Sequence, residues 1–307
     1  LKRLGIQINY GPVVDVNNNP SNPVINDRSF GQSKAQVIQQ GVAYMKGMQD
    51  NGIMATAKHF PGHGDVNVDS HFDLPVINKS KAELDSLELA PFKALIDAGI
   101  ESIMVAHLSV PAIDNRPKYA TSISPNAVNG LLKKELGFKG ISVTDAMDMK
   151  AIANYFPQGE ANVQAILAGN DMLCLPGDLG QSIKKIRAAI KERRLKRSDI
   201  NARVKKILTA KYKHGLDLPQ QIDTNNIIAD LNQSVGTINA EMAQQSLTFL
   251  RATNSPILNN KTAYIAFNAK SANVFTTAIA TAYGVKVFNT NGKDANEMAL
   301  INDSLKA

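Results

Sequence analysis

The sequence predicts an α/β fold in which a parallel sheet is covered by helices, and three observations carry that prediction. A strand-then-helix rhythm repeats five times between residues 6 and 175. The strand segments are too apolar to leave one face in water, which is the pattern of parallel strands buried on both sides. Polar or reactive residues recur just past each strand: Asp15, then Lys58 and His59, then His107, then Asp145, then Cys174 near Asp171. Parallel sheets and β/α barrels build their sites at those carboxyl ends.

Residues 6–16 read as the first strand, rich in Ile and Val and interrupted at Gly11-Pro12. Ser33 with Gln36 three residues on forms a capping-box pattern that opens a helix to Gln49. Residues 53–58 are the second strand. Ser80 and Glu83 form another capping box, opening a helix that runs to Ala98 and is stopped by Gly99. Residues 100–106 are the third strand, and Ser124-Pro125 starts a helix ending at Gly137. A fourth strand at 140–144, a helix at 161–168 and a fifth strand at 171–175 complete the series.

The composition changes after Gly215. Asp217–Ser234 is rich in Asn, Asp and Gln, contains Pro219, and reads as a linker. A helix near 238–250, a strand at 262–267, a helix at 272–282 and a strand at 285–288 then open a second α/β domain. The expected division is 1–216, a linker at 217–235, and 236–307. The N-terminus carries neither an initiator Met nor a signal-peptide layout. The second domain is too short to close its own core. The chain therefore reads as a piece of a longer protein.

Composition narrows the function classes. The 44% hydrophobic and 20% charged content is that of a soluble globular protein, and no apolar run approaches the length of a membrane-spanning helix. The single Cys174 excludes an internal disulfide framework. The net charge of +7 is local, because 13 of the 34 Lys and Arg residues lie between Lys184 and Lys213, in two amphipathic helical stretches. No aromatic residue interleaves with them before Tyr212, so they read as a solvated helical face and not as a nucleic-acid platform.

The densest chemistry lies in KHFPGHGDVNVDSH, Lys58 to His71, which holds three of the five histidines in fourteen residues. It leaves a strand on a loop punctuated by Pro61, Gly62 and Gly64, where titratable groups point to function more than to packing. Asp69 and His71, two apart on an extended loop, share one side, so the carboxylate can accept from the imidazole and raise its basicity. A histidine so paired can carry a proton near neutral pH. His59, His63, Asp65, Asp69 and His71 could also ligate zinc or iron, although no HExxH pattern is present and Lys58 would repel a cation. Asp145, in SVTDAMD, reads either as a nucleophile or charge stabiliser, or as the N-cap of a following helix. Arg28 suits a bidentate substrate contact or a salt bridge with Asp27 or Asp15. His107 is a site group or a satisfied buried histidine, and His214 suits a helix C-terminus.

Together the segments GPVVDV, NDRSFG, KHFPGHGDVNVDSH, MVAHLSVPAID, SVTDAMDM and AGNDML resemble the β-N-acetylglucosaminidases of glycoside hydrolase family 3, in family order over residues 1–216. The resemblance implies a (β/α)8 TIM-type barrel, here partial (about strands 3 to 8), followed by the start of an α/β sandwich domain. The family's first two strands, with a DxEGGRV-type sugar-binding segment, have no counterpart here. By resemblance Asp145 is the nucleophile, His71 the general acid/base and Asp69 its partner, while Arg28, Lys58 and His59 hold the sugar. The implied reaction is a retaining double displacement on terminal β-linked GlcNAc of peptidoglycan fragments or chitooligosaccharides. No cofactor is implied. A His–Asp pair in place of a second carboxylate repels an incoming anion less, which leaves room for phosphorolysis. β-Glucosidase activity, a metal-dependent hydrolase and a non-catalytic sugar-binding module are the alternatives.

Overall fold

A computed structural model describes residues 1–70, 72–157, 159–218, 221–246, 258–267 and 271–306. Contacts divide the chain into two units, 1–227 and 228–307. The first contains five strands: β1 (Ile8–Asn9), β2 (Met54–Phe60), β3 (Ser102–Val105), β4 (Ile141–Ala146) and β5 (Met172–Cys174). They form one parallel sheet in the order β1-β2-β3-β4-β5. All residues of β3, and all but Lys58 of β2, are buried, as helices on both faces require.

The helices follow their sequence signals with instructive exceptions. α1 (Lys34–Gln49) buries Val37, Gly41 and Met45, one face of a helix at four-residue spacing. Its Ser33 N-cap makes no side-chain bond, so the Ser33–Gln36 capping box does not form. The Ser80–Glu83 box does form, with both reciprocal bonds. The helix expected through residue 98 is two helices, α2 (Lys81–Ser86) and α3 (Leu89–Asp97), broken at Leu87. Pro91 explains the break: it has no N–H to give Leu87 and its ring would clash there, so it is tolerated only in the first turn of a restarted helix. Glu88, at the junction, is drawn inward to Lys79.

After β3, residues Asn126–Glu135 form a π-helical segment, ended by Gly137 with a φ of 72°. Beyond β4 lie α4 (Lys150–Ala153) and α5 (Glu160–Ala168). Beyond β5 lie the basic helices α6 (Leu179–Lys191) and α7 (Arg197–Lys213). Their cations are not simply solvated. Lys206 Nζ lies 2.7 Å from Asp171 Oδ2, and Arg203 donates to the Asn170 and Ile166 carbonyls at 2.8 Å. Lys213 pairs with Glu101, whose other oxygen lies 2.9 Å from His214 at the end of α7. Part of the positive charge therefore docks α7 onto the sheet.

α8 (Ile227–Asn232) falls within the stretch read as a linker, and α9 (Val235–Ser246) follows. In the second unit β6 (Ala263–Phe267) and β7 (Lys286–Thr290) pair in parallel. α10 (Val274–Tyr283), capped by an Asn273–Thr276 box, connects them, and α11 (Ala295–Lys306) follows β7.

The main core packs α1 and α3 against β2 and β3, with Phe60 and Phe92 edge to face at 5.3 Å. The turn after β2 is pinned to this core by backbone proximity. A Cβ on Gly64 would stand 1.8 Å from the Val16 carbonyl oxygen, so no side chain fits there. Asn22 secures the same turn, donating to the carbonyls of His63 and Gly64 while accepting from Val24 and Ile25 N–H. Gly64→Ala is expected to lower the unfolding free energy by more than about 2 kcal/mol in denaturant titration. Gly47→Ala is the control: nothing lies near its Cβ in α1, so it is expected to stabilise by about 0.5–1 kcal/mol.

Candidate active site

The carboxyl ends of the strands converge on a cavity of about 180 Å³, and Arg28, Lys58, His59 and Asp145 all line it. Tyr10, His63, Ser70 and Cys174 add to its polar wall, and Val24, Met104 and Met149 supply apolar surface. Four of the six residues singled out from the sequence thus share one site. Asp69 lies in the loop beside it, and its neighbour Ser70 lines the cavity. The Asp69 carbonyl accepts from the N–H groups of Phe72 and Asp73, so the chain leaves Asp69 in a turn and not in the extended form expected. His71 lies outside the described residues.

The site begins with a buried charge. Asp15, fully buried, accepts from His59 N–H at 3.1 Å and His63 N–H at 2.7 Å through Oδ1, and from His59 Nδ1 at 2.7 Å through Oδ2. Burial alone would raise this carboxyl's pKa, but the His59 ring's charge and hydrogen bond, with His63 adding to them, hold it below the usual value. Because Nδ1 is engaged by Asp15, His59 presents Nε2 toward Arg28, whose Nη2 is 3.3 Å away. Arg28 also donates to the Val24 carbonyl at 3.3 Å. Its guanidinium faces the cavity, while Asp15 is committed to the histidines.

Lys58 and His59 are aimed by an irregularity in β2. The β2–β3 pairing moves from Ala57–Ile103 to Phe60–Val105, three residues against two, so a bulge falls at Lys58–His59. The His59 N–H lost to the ladder is the one that Asp15 accepts. Lys58, half-buried, has its pKa lowered first by burial and then by the Arg28 charge, against the pull of Asp145 and Asp15.

Asp145 is not an N-cap: α4 is capped at Met149. Its Oδ1 accepts from the Ala146 N–H at 2.9 Å, and its pKa is lowered. Burial again opposes the shift, and the nearby His59 and His107 and the Ala146 N–H outweigh it. His107 is a satisfied buried histidine. Its Nε2 donates to the Ala146 carbonyl at 2.9 Å, which leaves Nδ1 to accept from Ser122 Oγ at 2.7 Å, and burial lowers its pKa. His63, also buried, packs edge-on to His59 at 5.7 Å and meets Ser70 Oγ at 3.2 Å. Among the described residues no group of three or more His, Cys, Asp or Glu side chains is arranged to hold a metal ion. No described helix is long and apolar enough to cross a membrane.

His107 takes the second of the two roles open to it, and Asp15, offered only as a possible partner of Arg28, pairs with the histidines instead. The signal for Asp15 was present: an acidic residue closing the apolar run Pro12-Val13-Val14 must be paired if the run is buried.

Burial, and next the His59 charge, push His63 from 6.5 down to about 4, so the folded state resists a proton that the unfolded chain accepts. Stability is therefore expected to be intact above pH 6.5 and to fall by up to about 3 kcal/mol as the pH drops toward 4. Asp15, with its pKa below 3.8, keeps its contribution through that window and loses it only in stronger acid. Denaturant midpoints measured across the window for His63→Gln are expected to fall less steeply than those of the unsubstituted protein, the remaining slope coming from buried His107; a slope equal to that of the unsubstituted protein would contradict the assignment.

Comparison with known proteins gives the family of this fold. Residues 1–210 match the model of the glycosyl hydrolase family 3 N terminal domain. A beta-hexosaminidase A from Pseudoalteromonas piscicida is 33% identical over 81% of this chain and 44% of its own length. A beta-N-acetylglucosaminidase/beta-glucosidase from Cellulomonas fimi is also 33% identical, over 81% of this chain and 46% of its own. The chain thus spans about half the length of these curated relatives. The solved family 3 beta-N-acetylglucosaminidase from Paenibacillus sp. str. FPU-7 superposes with a TM-score of 0.77 at 29% identity, covering 98% of this chain and 60% of that one. The five-stranded parallel sheet is accordingly part of that family's barrel domain, and the chain belongs to glycosyl hydrolase family 3.

Proposed function

We propose that the protein is a retaining, exo-acting β-N-acetylglucosaminidase that releases terminal β-linked GlcNAc from peptidoglycan fragments or chitooligosaccharides. The observation that carries this reading is the convergence of an ionised Asp145 with Arg28, Lys58 and His59 on one cavity sized for a single sugar ring. Relatives named for hexosaminidase and N-acetylglucosaminidase activity support the substrate class.

In the first step an Asp145 carboxylate oxygen attacks the anomeric carbon as the glycosidic bond breaks, and His71 gives its proton to the departing oxygen. Asp69 stabilises the imidazolium before that transfer. In the second step His71 takes a proton from water as the water oxygen displaces Asp145 from the anomeric carbon. Two inversions return the sugar with retained configuration. In this reading Arg28 and Lys58 donate to the sugar's hydroxyl and acetamido oxygens, and His59 Nε2, its other nitrogen held by Asp15, accepts from a hydroxyl. The lowered pKa of Asp145 suits a nucleophile, which must be ionised at neutral pH. The cationic pair Arg28 and Lys58 on the cavity wall favours a second reading in which phosphate replaces water in the second step.

Hydrolysis of p-nitrophenyl β-GlcNAc and of chitobiose by the intact protein tests the roles. Asp145→Ala is expected to lower kcat/KM by at least about a thousandfold on both. His71→Ala is expected to cost about 10²–10⁴-fold on chitobiose and far less on the aryl glycoside, whose leaving group needs little protonation. Equal losses on the two substrates would refute the acid/base assignment. Accumulation of GlcNAc-1-phosphate in phosphate buffer would establish phosphorolysis, and turnover of p-nitrophenyl β-glucoside at a comparable rate would widen the specificity.

A further inference from the structure

Asp145 sits in a second bulge. β4 and β5 pair at Val143–Met172 and next at Ala146–Cys174, three residues against two, so the extra residue falls at Thr144–Asp145. A bulge turns a side chain out of the regular alternation and disrupts the ladder locally. Here a side chain reaches across the bulge: Thr144 Oγ1 accepts from the Cys174 N–H at 3.0 Å. Thr144 is fully buried, so water cannot substitute for the hydroxyl. The bulge at Lys58–His59 is completed in the same manner, with Asp15 accepting the His59 N–H.

We propose that Thr144 is a positioning residue for Asp145: its hydroxyl ties the bulged strand to the Cys174 N–H of β5, and thereby fixes the direction of the carboxylate. The backbone on the other side of Asp145 is already held. The Ala146 carbonyl accepts from His107 Nε2, and the Met147 N–H donates to the Cys174 carbonyl at 2.9 Å. Thr144 secures the side that these bonds leave loose. Without it the strand can relax toward regular pairing, which would swing residue 145 away from the cavity, because neighbouring residues on a strand face opposite sides. This inference rests on Asp145 being the nucleophile.

The test compares Thr144→Val, which keeps the shape and loses the acceptor, with Thr144→Ser, which keeps the acceptor. Displacement of a nucleophile by a fraction of an ångström is expected to lower kcat on p-nitrophenyl β-GlcNAc about 10- to 100-fold in Thr144→Val. KM and the inhibition constant of GlcNAc should stay within about twofold, since Arg28, Lys58 and His59 are untouched. Thr144→Ser should restore kcat to within a few-fold. If Thr144→Val does not fold, as judged by circular dichroism, Thr144→Ala is compared with Thr144→Ser in its place. Unchanged kcat in the variant lacking the acceptor, or failure of serine to rescue it, would overturn the proposal. Asp145→Ala run alongside separates the two levels: turnover surviving in Asp145→Ala removes the nucleophile reading itself, whereas an inactive Asp145→Ala beside a fully active Thr144→Val removes only the positioning role.

Discussion

The buried carboxylate of Asp15 is the interaction on which the site depends. A charge with no exposure to water is tolerable only when donors surround it, and three N–H groups from residues 59 and 63 do so. One acceptor thus joins the end of the first strand region to the exit of β2. It fixes the His59 ring through Nδ1, turns Nε2 into the cavity, and ties down the turn at His63. Asn22 and the side-chain-free Gly64 close the same turn from the other side. Removing Asp15 would leave buried donors unpaired at several points at once, so the site and the local fold stand or fall together.

The candidate site residues lie where the sheet departs from regularity. Lys58–His59 and Thr144–Asp145 occupy bulges near the carboxyl ends of β2 and β4. A regular strand would send alternate side chains to opposite faces, and adjacent residues could not both serve one purpose. The bulges re-aim them, and the Asp15 and Thr144 side chains accept backbone N–H groups beside them. The surrounding histidines divide the labour. His107 and His63 are held neutral near pH 7 by burial and act as struts, while the Asp145 carboxyl stays ionised. The basic helix α7 shows a comparable economy: Arg203, Lys206 and Lys213 fasten it to the sheet, so part of the chain's positive charge in this region has internal partners.

By itself the sequence determined the α/β class, the five strands in order, the helix stops at Gly99 and Gly137, the Ser80–Glu83 cap and the cluster of residues that line the cavity. Those features are local: they depend on periodicity, on the backbone freedom of glycine and on side chains a few positions apart. It was less informative wherever a local signal competed with a neighbour. Ser33–Gln36 has the spacing of a cap and does not make one, and an apparently continuous helix was divided by Pro91. Only the tertiary structure decided that Asp15 pairs with His59 and His63 and not with Arg28, that Asp145 is no N-cap, that His107 is a strut, and that Asp69 opens a turn. The pairings of Asp15 and His107 are set by contacts between residues distant in the chain, and by which donor reaches a buried acceptor first in space. No spacing in the sequence records that geometry.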